Sequence, residues 1–260
     1  RTRSEVKVYA WMPVLAFDLR NSVKNAEYIV DSHTNQLRLS PYSRKNIEII
    51  KSIYNDLSFY AKFDGILFRD KTFFGDFEGL PIYSNQSVVN SATKQKTDDL
   101  IKVTDQLVEG LKPYFLFGSD SLRTVRNIYV SMLTEPKAAE WLAQNLSILT
   151  KHYDTTAIMA MPYMEHEQEI SERQAKAWFE TLINNVKAQV PLDKVLFEFQ
   201  TVNWRTQKPI PESELIRWIQ LLQKHNIYSY GYYPDNFLKD QPSMHKMRPY
   251  MSVNTKAGKP

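Results

Sequence analysis

The stretch FDGILFRDKTFFGDFE, at residues 63–78, gives the first indication of the fold. Its apolar part, residues 63–68, is followed directly by Arg69, Asp70 and Lys71. A short apolar run that ends in charged residues is typical of a buried parallel strand, whose carboxyl end carries the functional side chains. The same pattern recurs on both sides of this segment.

Six segments with strand character can be identified, and most of them end in polar or aromatic residues. They are residues 6–14, 63–70, 124–130, 157–163, 195–204 and 227–234. Between them, apolar residues recur at helical spacing, as in Ile47, Ile50, Tyr54 and Leu57. Strands that alternate with amphipathic helices indicate βα units and a mainly parallel sheet, so the predicted fold class is α/β, a TIM-like (β/α) barrel.

Three local patterns predict where helices begin and where the chain forms a loop. Ser40 and Pro41 predict the start of the first long helix, with a cap followed by a proline at the first helical position. Ser171 and Gln174 have the spacing of a capping box. Residues 85–97, rich in Ser, Asn, Thr and Gln, are predicted to form a loop.

An eight-stranded barrel needs two more strands than the six that can be counted. Because a strand begins almost at Arg1, we expect the missing strands to precede it. Residues 1–260 are therefore predicted to form a single, incomplete barrel domain that belongs to a longer protein. The sheet edge left by the missing strands should be covered by another chain, by a loop or by further residues.

The composition limits the classes of function. The chain is 43% hydrophobic and 13% aromatic, which suits one large core. It contains no cysteine, which excludes disulfides, thiol catalysis and cysteine-bound zinc. The net charge is +4 and the basic residues are scattered, so nucleic-acid binding is not expected. No GxSxG, HExxH or glycine-rich phosphate motif occurs, and we expect neither a metal ion nor another cofactor.

Carboxylates and aromatic residues recur at or near the predicted strand ends. This mixture suits sugars, because aromatic rings cover the apolar face of a pyranose while carboxylates accept hydrogen bonds from its polar groups, and glycoside hydrolysis generally uses two carboxylates. The candidate substrate-binding residues are Trp11, Asp18, Arg69, Glu165, Glu198, Trp204, Tyr232, Tyr233 and Asp235.

Each candidate also has a structural interpretation. A single aspartate at a strand end is more often a helix cap or an ion-pair partner, and Trp11 or Trp204 alone is more often part of a core. Glu198 lies inside an apolar strand, so it must face the barrel interior or pair with a cation. The segment around His166, with a glutamate on either side, has the composition of a solvated surface cluster.

Six stretches resemble the C-terminal domain of PgaB/HmsF-type poly-β-1,6-N-acetyl-D-glucosamine (PNAG) N-deacetylases. They are KVYAWMPVLAFDL from Lys7, FDGILFRDKTFFGDFE from Phe63, RLSPYS from Arg38, TVRNIY from Thr124, TAIMAMPYME from Thr156 and YGYYPDNF from Tyr230. The resemblance implies a glycoside-hydrolase-like barrel behind a separate N-terminal deacetylase domain. It also implies a periplasmic protein, anchored to the outer membrane, that binds partly deacetylated PNAG, cleaves it in some members, and passes it to an export porin.

The resemblance identifies Asp70 as the candidate catalytic residue, because the family's acidic residue after the FDGILF strand falls there. The family pattern is a histidine followed by two aspartates, whereas Arg69, Asp70 and Lys71 stand here. Lys71 should lower the pKa of Asp70 and favour its ionised form, which suits a nucleophile or stabiliser better than a general acid. Binding for export and endo-hydrolysis therefore both stay open.

Two features of the site follow from this interpretation. The second carboxylate of a hydrolase would be Glu165, Glu198 or Asp235. One continuous groove at the carboxyl ends of the strands is predicted to be lined by Asp18, Asp70, Glu165, Trp204, Tyr232 and Asp235.

Overall fold

The computed structural model describes residues 7–24, 26–30, 37–69, 86–115, 122–134, 145–166 and 168–251. The strands in this part of the chain are β1 (Tyr9–Met12), β2 (Tyr28–Val30), β3 (Leu37–Leu39), β4 (Gly65–Phe68), β5 (Arg123–Tyr129), β6 (Thr155–Met159), β7 (Val195–Gln200), β8 (Val202–Asn203), β9 (Lys208–Pro209) and β10 (Tyr230–Tyr233). The helices are α1 (Arg44–Tyr60), α2 (Gln86–Phe115), α3 (Ser131–Thr134), α4 (Leu146–His152), α5 (Pro162–Glu165), α6 (Glu172–Gln189), α7 (Glu212–Lys224) and α8 (Met244–Met251). Short 3-10 helices span Leu192–Lys194 and Phe237–Lys239.

The main sheet has six strands in the order β1-β4-β5-β6-β7-β10. The pairs β1/β4, β4/β5 and β7/β10 are parallel. Each of the six predicted strand segments overlaps one of these strands, and helices lie between them along the chain. The sheet therefore has the βα arrangement that the sequence predicts. Two antiparallel pairs, β2/β3 and β8/β9, are additional.

The chain divides into two compact units. The first comprises Arg1–Ile128 and Glu135–Thr156, and the second comprises Tyr129–Thr134 and Ala157–Pro260. In the first unit α1 packs against α2, and both bury an apolar face. The phenol of Tyr54 is fully buried on α1 and donates a hydrogen bond of 2.9 Å to the carbonyl of Pro13. This bond ties the helix to the segment that follows β1.

Gly65 allows a close approach between neighbouring strands in the first unit. A Cβ atom at this position would lie 2.3 Å from the ring of Tyr9 and 2.5 Å from the carbonyl oxygen of Arg123. Real Cβ atoms do not come so close to a backbone oxygen, so only glycine fits here. The glycine of the FDGILF stretch therefore has a packing role at the first residue of β4.

The second unit has an aromatic core. Phe179 of α6 stacks on Trp218 of α7 with ring centroids 5.7 Å apart. Phe199 of β7 meets the same indole edge-on at 5.8 Å. These rings are almost completely shielded from solvent. Burial of such large apolar surfaces fixes both helices on β7 and holds the carboxyl ends of β7 and β10 in place.

Two of the three local predictions were wrong and one is confirmed. Ser171 and Gln174 form the predicted capping box at the start of α6. Ser40 and Pro41 lie instead in a turn before α1, whose N-cap is Ser43. Residues 86–97, predicted as a loop, belong to α2. Propensity differences are a few tenths of a kcal/mol per residue, so a polar segment can extend an existing helix.

Two strands end earlier than predicted. The fourth predicted segment ran to residue 163, but β6 stops at Met159 and α5 begins at Pro162, a residue well suited to the first turn of a helix. The fifth ran to residue 204, but β7 stops at Gln200. No helix in the described ranges is long and apolar enough to cross a membrane.

Candidate functional site

An aromatic pair stands at the carboxyl ends of two adjacent strands of the second unit. Tyr233 ends β10, where it pairs in register with Gln200, the last residue of β7. Trp204 follows β7 by four residues, and its ring centroid lies 6.3 Å from that of Tyr233 with the planes inclined at 41°. Tyr233 is 39% exposed and Trp204 is half-buried. The pair therefore offers solvent-facing aromatic surface, as sugar binding requires.

Trp204 lies in a short hairpin, residues 202–209, which we call the Trp204 hairpin. The side-chain oxygen of Asn203 accepts hydrogen bonds from the backbone amides of Arg205 at 3.0 Å and Thr206 at 3.3 Å. Gln207 adopts a left-handed backbone conformation with a φ of 56°, and its side-chain Nε2 donates to the carbonyl of Trp204 at 2.6 Å. The turn is thus held by its own polar side chains, as is typical of asparagine-containing turns.

A second segment, residues 160–166, carries the candidate Glu165 and is called the Glu165 loop below. The buried side-chain oxygen of Gln200 accepts hydrogen bonds from the amides of Tyr163 at 3.0 Å and Met164 at 3.2 Å. These amides belong to the first turn of α5, where helical amides need an external acceptor. The nitrogen of the same Gln200 side chain donates to the carbonyl of Val202 at 2.8 Å.

Glu214 on α7 is a buried carboxylate that was not among the predicted site residues. It is only 5% exposed. Its carboxylate accepts a hydrogen bond of 2.5 Å from the phenol of Tyr163. Burial is the main cause that raises the pKa of Glu214, and the negative charge of Glu172 adds to it, while the bond from Tyr163 and the charge of Arg217 act in the opposite direction. Burial and the adjacent Glu214 also raise the pKa of the Tyr163 phenol, so this phenol is the donor at neutral pH.

We predict that Glu214→Gln changes the free energy of unfolding in a pH-dependent way. Relative to the wild type, the variant should be more favoured at about pH 7 than at about pH 4. The raised pKa means that folding favours the protonated carboxyl. The stability that Glu214 contributes is therefore present below its ordinary pKa, near 4.5, and is lost as the pH rises through the folded-state pKa. Glutamine stays neutral and escapes this loss. Urea unfolding at both pH values measures the difference.

The control for this prediction is Glu180→Gln, which removes a charge from an exposed ion pair with Lys176 on α6. Such a pair contributes little to stability. The effect of Glu180→Gln on the free energy of unfolding should therefore change little between the two pH values. A Glu214→Gln difference that is the same at both pH values would contradict the prediction.

His166 is half-buried and contacts the protein, so it is less solvated than the composition of its segment indicates. Its Nδ1 atom donates to the carbonyl of Pro162 at 2.8 Å, and its ring meets the indole of Trp178 at 6.1 Å. Trp178 lies on α6, so a local sequence pattern could not reveal this contact. Glu165 is half-buried in α5, and Glu167 lies outside the described residues.

The remaining candidates of the second unit lie on β7 and β10 or directly after them. Glu198 is half-buried on β7, where strand alternation turns its side chain to the opposite face from the buried rings of Phe197 and Phe199. Tyr232 contacts Phe199 at a ring distance of 6.4 Å. Burial, and then the charge of exposed Asp235, raises the pKa of the Tyr232 phenol. The Tyr232 phenol is therefore protonated at neutral pH and can donate a hydrogen bond to a ligand, while the exposed Asp235 carboxylate can accept one.

Trp11 and Arg69 meet in the first unit. Trp11 lies on β1 and Arg69 follows β4, and the amide of Arg69 donates to the carbonyl of Met12 at 3.0 Å. The guanidinium carbon lies 5.0 Å from the centroid of the indole, the geometry of a cation–π contact. Trp11 is still 42% exposed. An exposed ring and a guanidinium donor are therefore adjacent at the carboxyl ends of parallel strands.

Asp18 forms a local ion pair. Both oxygens of its carboxylate accept hydrogen bonds from the side chain of Arg20, at 2.8 and 2.5 Å. These bonds lower the pKa of Asp18 to about 2. Asp18 is thus ionised at any physiological pH. Asp70 lies outside the described residues, and the single groove through both units stays a prediction.

No group of three or more acidic, histidine or cysteine side chains in the described ranges is arranged to hold a metal ion. Two clusters, Trp204 with Tyr233 and Trp11 with Arg69, offer aromatic surface for stacking together with hydrogen-bonding and charged groups. The signal for Glu214 was present in the sequence, because it stands four residues before Trp218 on the apolar face of α7.

Comparisons with known proteins show consistent similarity. Residues 1–233 match a family model, GHL13, described as hypothetical glycosyl hydrolase family 13. The chain is 34% identical to the poly-beta-1,6-N-acetyl-D-glucosamine N-deacetylases of Escherichia coli strains K12 and O157:H7, over 97% of its own length and 41% of theirs. It thus spans about two fifths of those relatives.

A solved structure is similar over nearly the whole chain. The PgaB (BpsB) glycoside hydrolase domain from Bordetella bronchiseptica is 31% identical, with a TM-score of 0.85, over 97% of this chain and 77% of that one. This similarity confirms the predicted (β/α) barrel-like fold class and the resemblance to the glycoside-hydrolase-like domain of PgaB-type proteins.

Proposed function

Because this chain belongs to the GHL13 glycosyl hydrolase family and is similar to the glycoside hydrolase domain of PgaB, we propose that it binds partly deacetylated PNAG for biofilm export. The observation that carries the proposal is the aromatic pair of half-buried Trp204 and exposed Tyr233, at strand ends that the core of the second unit holds in place. A rigid aromatic platform binds pyranose rings without first losing conformational freedom.

The polar groups around this platform suit a polymer that carries both acetylated and free amines. Glu165 and Asp235 provide carboxylates on the same unit, and a carboxylate attracts the ammonium group of a deacetylated sugar. In the first unit, Arg69 beside Trp11 offers guanidinium donors for an acetamide carbonyl or a hydroxyl. The two clusters therefore differ in the charge that they present.

Endo-hydrolysis of the same polymer is the second candidate function, and the position of Asp70 directly after β4 favours it. The residue before it, Arg69, is adjacent to the exposed ring of Trp11. In this proposal an ionised Asp70 stabilises or attacks the anomeric centre, and a second carboxyl from Glu165, Glu198 or Asp235 donates the proton.

One experiment tests both candidates. Partly deacetylated β-1,6-linked oligosaccharides are titrated into the purified domain by calorimetry, and the mixture is then analysed by mass spectrometry. Binding with intact oligosaccharides supports the export role, and shortened products support hydrolysis. A β-1,4-linked oligosaccharide of the same acetylation is the control. Absence of binding to the β-1,6-linked series would refute the proposed function.

The whole protein's role is proposed on the same basis. The matched relatives are named as PNAG N-deacetylases, and this chain spans about two fifths of their length. We therefore propose that the domain works beside an N-terminal deacetylase domain in a periplasmic protein anchored to the outer membrane. It would receive the polymer after deacetylation and pass it to an export porin.

A further inference from the structure

Two bridges join the Trp204 hairpin to the Glu165 loop within the second unit. The first is the buried amide of Gln200, which bonds to backbone groups of both segments. The second is the exposed guanidinium of Arg205. Its Nε donates to the carbonyl of Tyr163 at 3.4 Å, and its Nη2 donates to the carbonyl of His166.

The two bridges differ in their exposure to solvent. Gln200 is fully buried at the end of β7, whereas Arg205 is exposed beside Trp204. The Glu165 loop is held in addition by the bond from the Tyr163 phenol to Glu214. The hairpin and the loop thus cannot move independently unless several hydrogen bonds break. Glu165 and Trp204 are carried by one jointly fixed element.

We propose that Arg205 is a positioning residue of the polymer site, which acts by fixing Trp204 relative to the Glu165 loop. The proposal rests on the proposed binding function. A planar guanidinium can bond to two carbonyls that lie three residues apart, whereas the single ammonium of lysine lacks this fixed fork. Without the bridge, the hairpin and the loop would have to be ordered when the polymer binds, and this ordering weakens affinity.

The test compares Arg205→Ala and Arg205→Lys with the wild type. Both variants should bind a partly deacetylated β-1,6-linked oligosaccharide about three- to tenfold more weakly, the cost of ordering one or two side chains on binding. Because Arg205 is exposed, the midpoint of thermal unfolding should shift little. Arg173→Ala, which removes an exposed arginine of α6, is the matched control and should bind as the wild type does.

A double-mutant cycle separates positioning from direct contact with the sugar. If Arg205 acts through Trp204, then Arg205→Ala should cost little further affinity in the Trp204→Ala background. Amide hydrogen exchange should also become faster at Tyr163 and Met164, without ligand, in Arg205→Ala and not in Arg173→Ala.

The outcomes distinguish this proposal from the function on which it rests. If the wild type binds no oligosaccharide, the proposed function fails and the positioning role fails with it. If the wild type binds and Arg205→Ala binds equally well, only the positioning role fails. An Arg205→Ala effect that persists in full without Trp204 would also overturn it, because Arg205 would then contact the sugar directly.

Discussion

Replacing Asp70 with asparagine should reduce cleavage of partly deacetylated PNAG by about a hundredfold or more, while the affinity for the polymer changes little. Asparagine keeps the shape and most of the hydrogen-bonding capacity of aspartate but removes its charge. A carboxylate that stabilises the developing positive charge at the anomeric carbon cannot be replaced by an amide. Product formation followed by mass spectrometry, and affinity measured by calorimetry, check the two parts separately.

Asp193→Asn is the control for this variant. Asp193 is exposed in the 3-10 helix before β7, at the opposite end of that strand from the aromatic pair. Cleavage by this control should equal that of the wild type. If Asp70→Asn cleaves as fast as the wild type, Asp70 is not the catalytic residue. If the wild type binds without cleaving, Asp70→Asn should bind equally well, and the export role is supported.

Replacing Trp204 with alanine should weaken polymer binding by about 1–3 kcal/mol, by analogy with the stacking of bases on aromatic side chains. This corresponds to a loss of roughly five- to 150-fold in affinity. Trp204→Phe should recover part of the loss, because it restores a smaller ring. Calorimetry with the same oligosaccharide measures all three proteins.

Tyr228→Ala is the matched control for the loss of an exposed aromatic side chain. Tyr228 is 70% exposed and precedes β10, so it lies near the amino end of the strand that Tyr233 ends. Its removal should leave affinity unchanged. Equal losses in Tyr228→Ala and Trp204→Ala would indicate nonspecific adsorption and contradict a platform at the carboxyl ends of the strands.

The strands could be predicted from the sequence because burial in a parallel sheet requires continuous apolar runs, and all six runs were present. The beginning of α2 could not be predicted from the sequence, because residues 86–97 contain few apolar residues and resemble a loop. The proline after Ser40 fits a first helical turn, which is why the sequence predicts a cap there, whereas α1 begins after Ser43. The structure uses that proline in a preceding turn instead.

The candidate site was predictable in its residue types but not in its connections. The exposed ring of Tyr233 and its proximity to Trp204 agree with an aromatic platform. By contrast, the side chains of Gln200, Glu214 and Arg205 bond to residues between 36 and 51 positions away, and Gln200 also bonds to the adjacent hairpin. Such pairings depend on how α5, β7 and α7 come together, which periodicity does not encode.

The close bonding of the Trp204 hairpin should make its length more restrictive than its composition. Surface loops usually accept insertions and deletions. Here an extra residue between Asn203 and Gln207 would displace the left-handed position and draw Arg205 away from the carbonyls that it reaches. Protein engineers who insert tags or recognition peptides should therefore avoid residues 202–209. New ligand preferences at this site would be obtained by exchanging side chains on a hairpin of unchanged length.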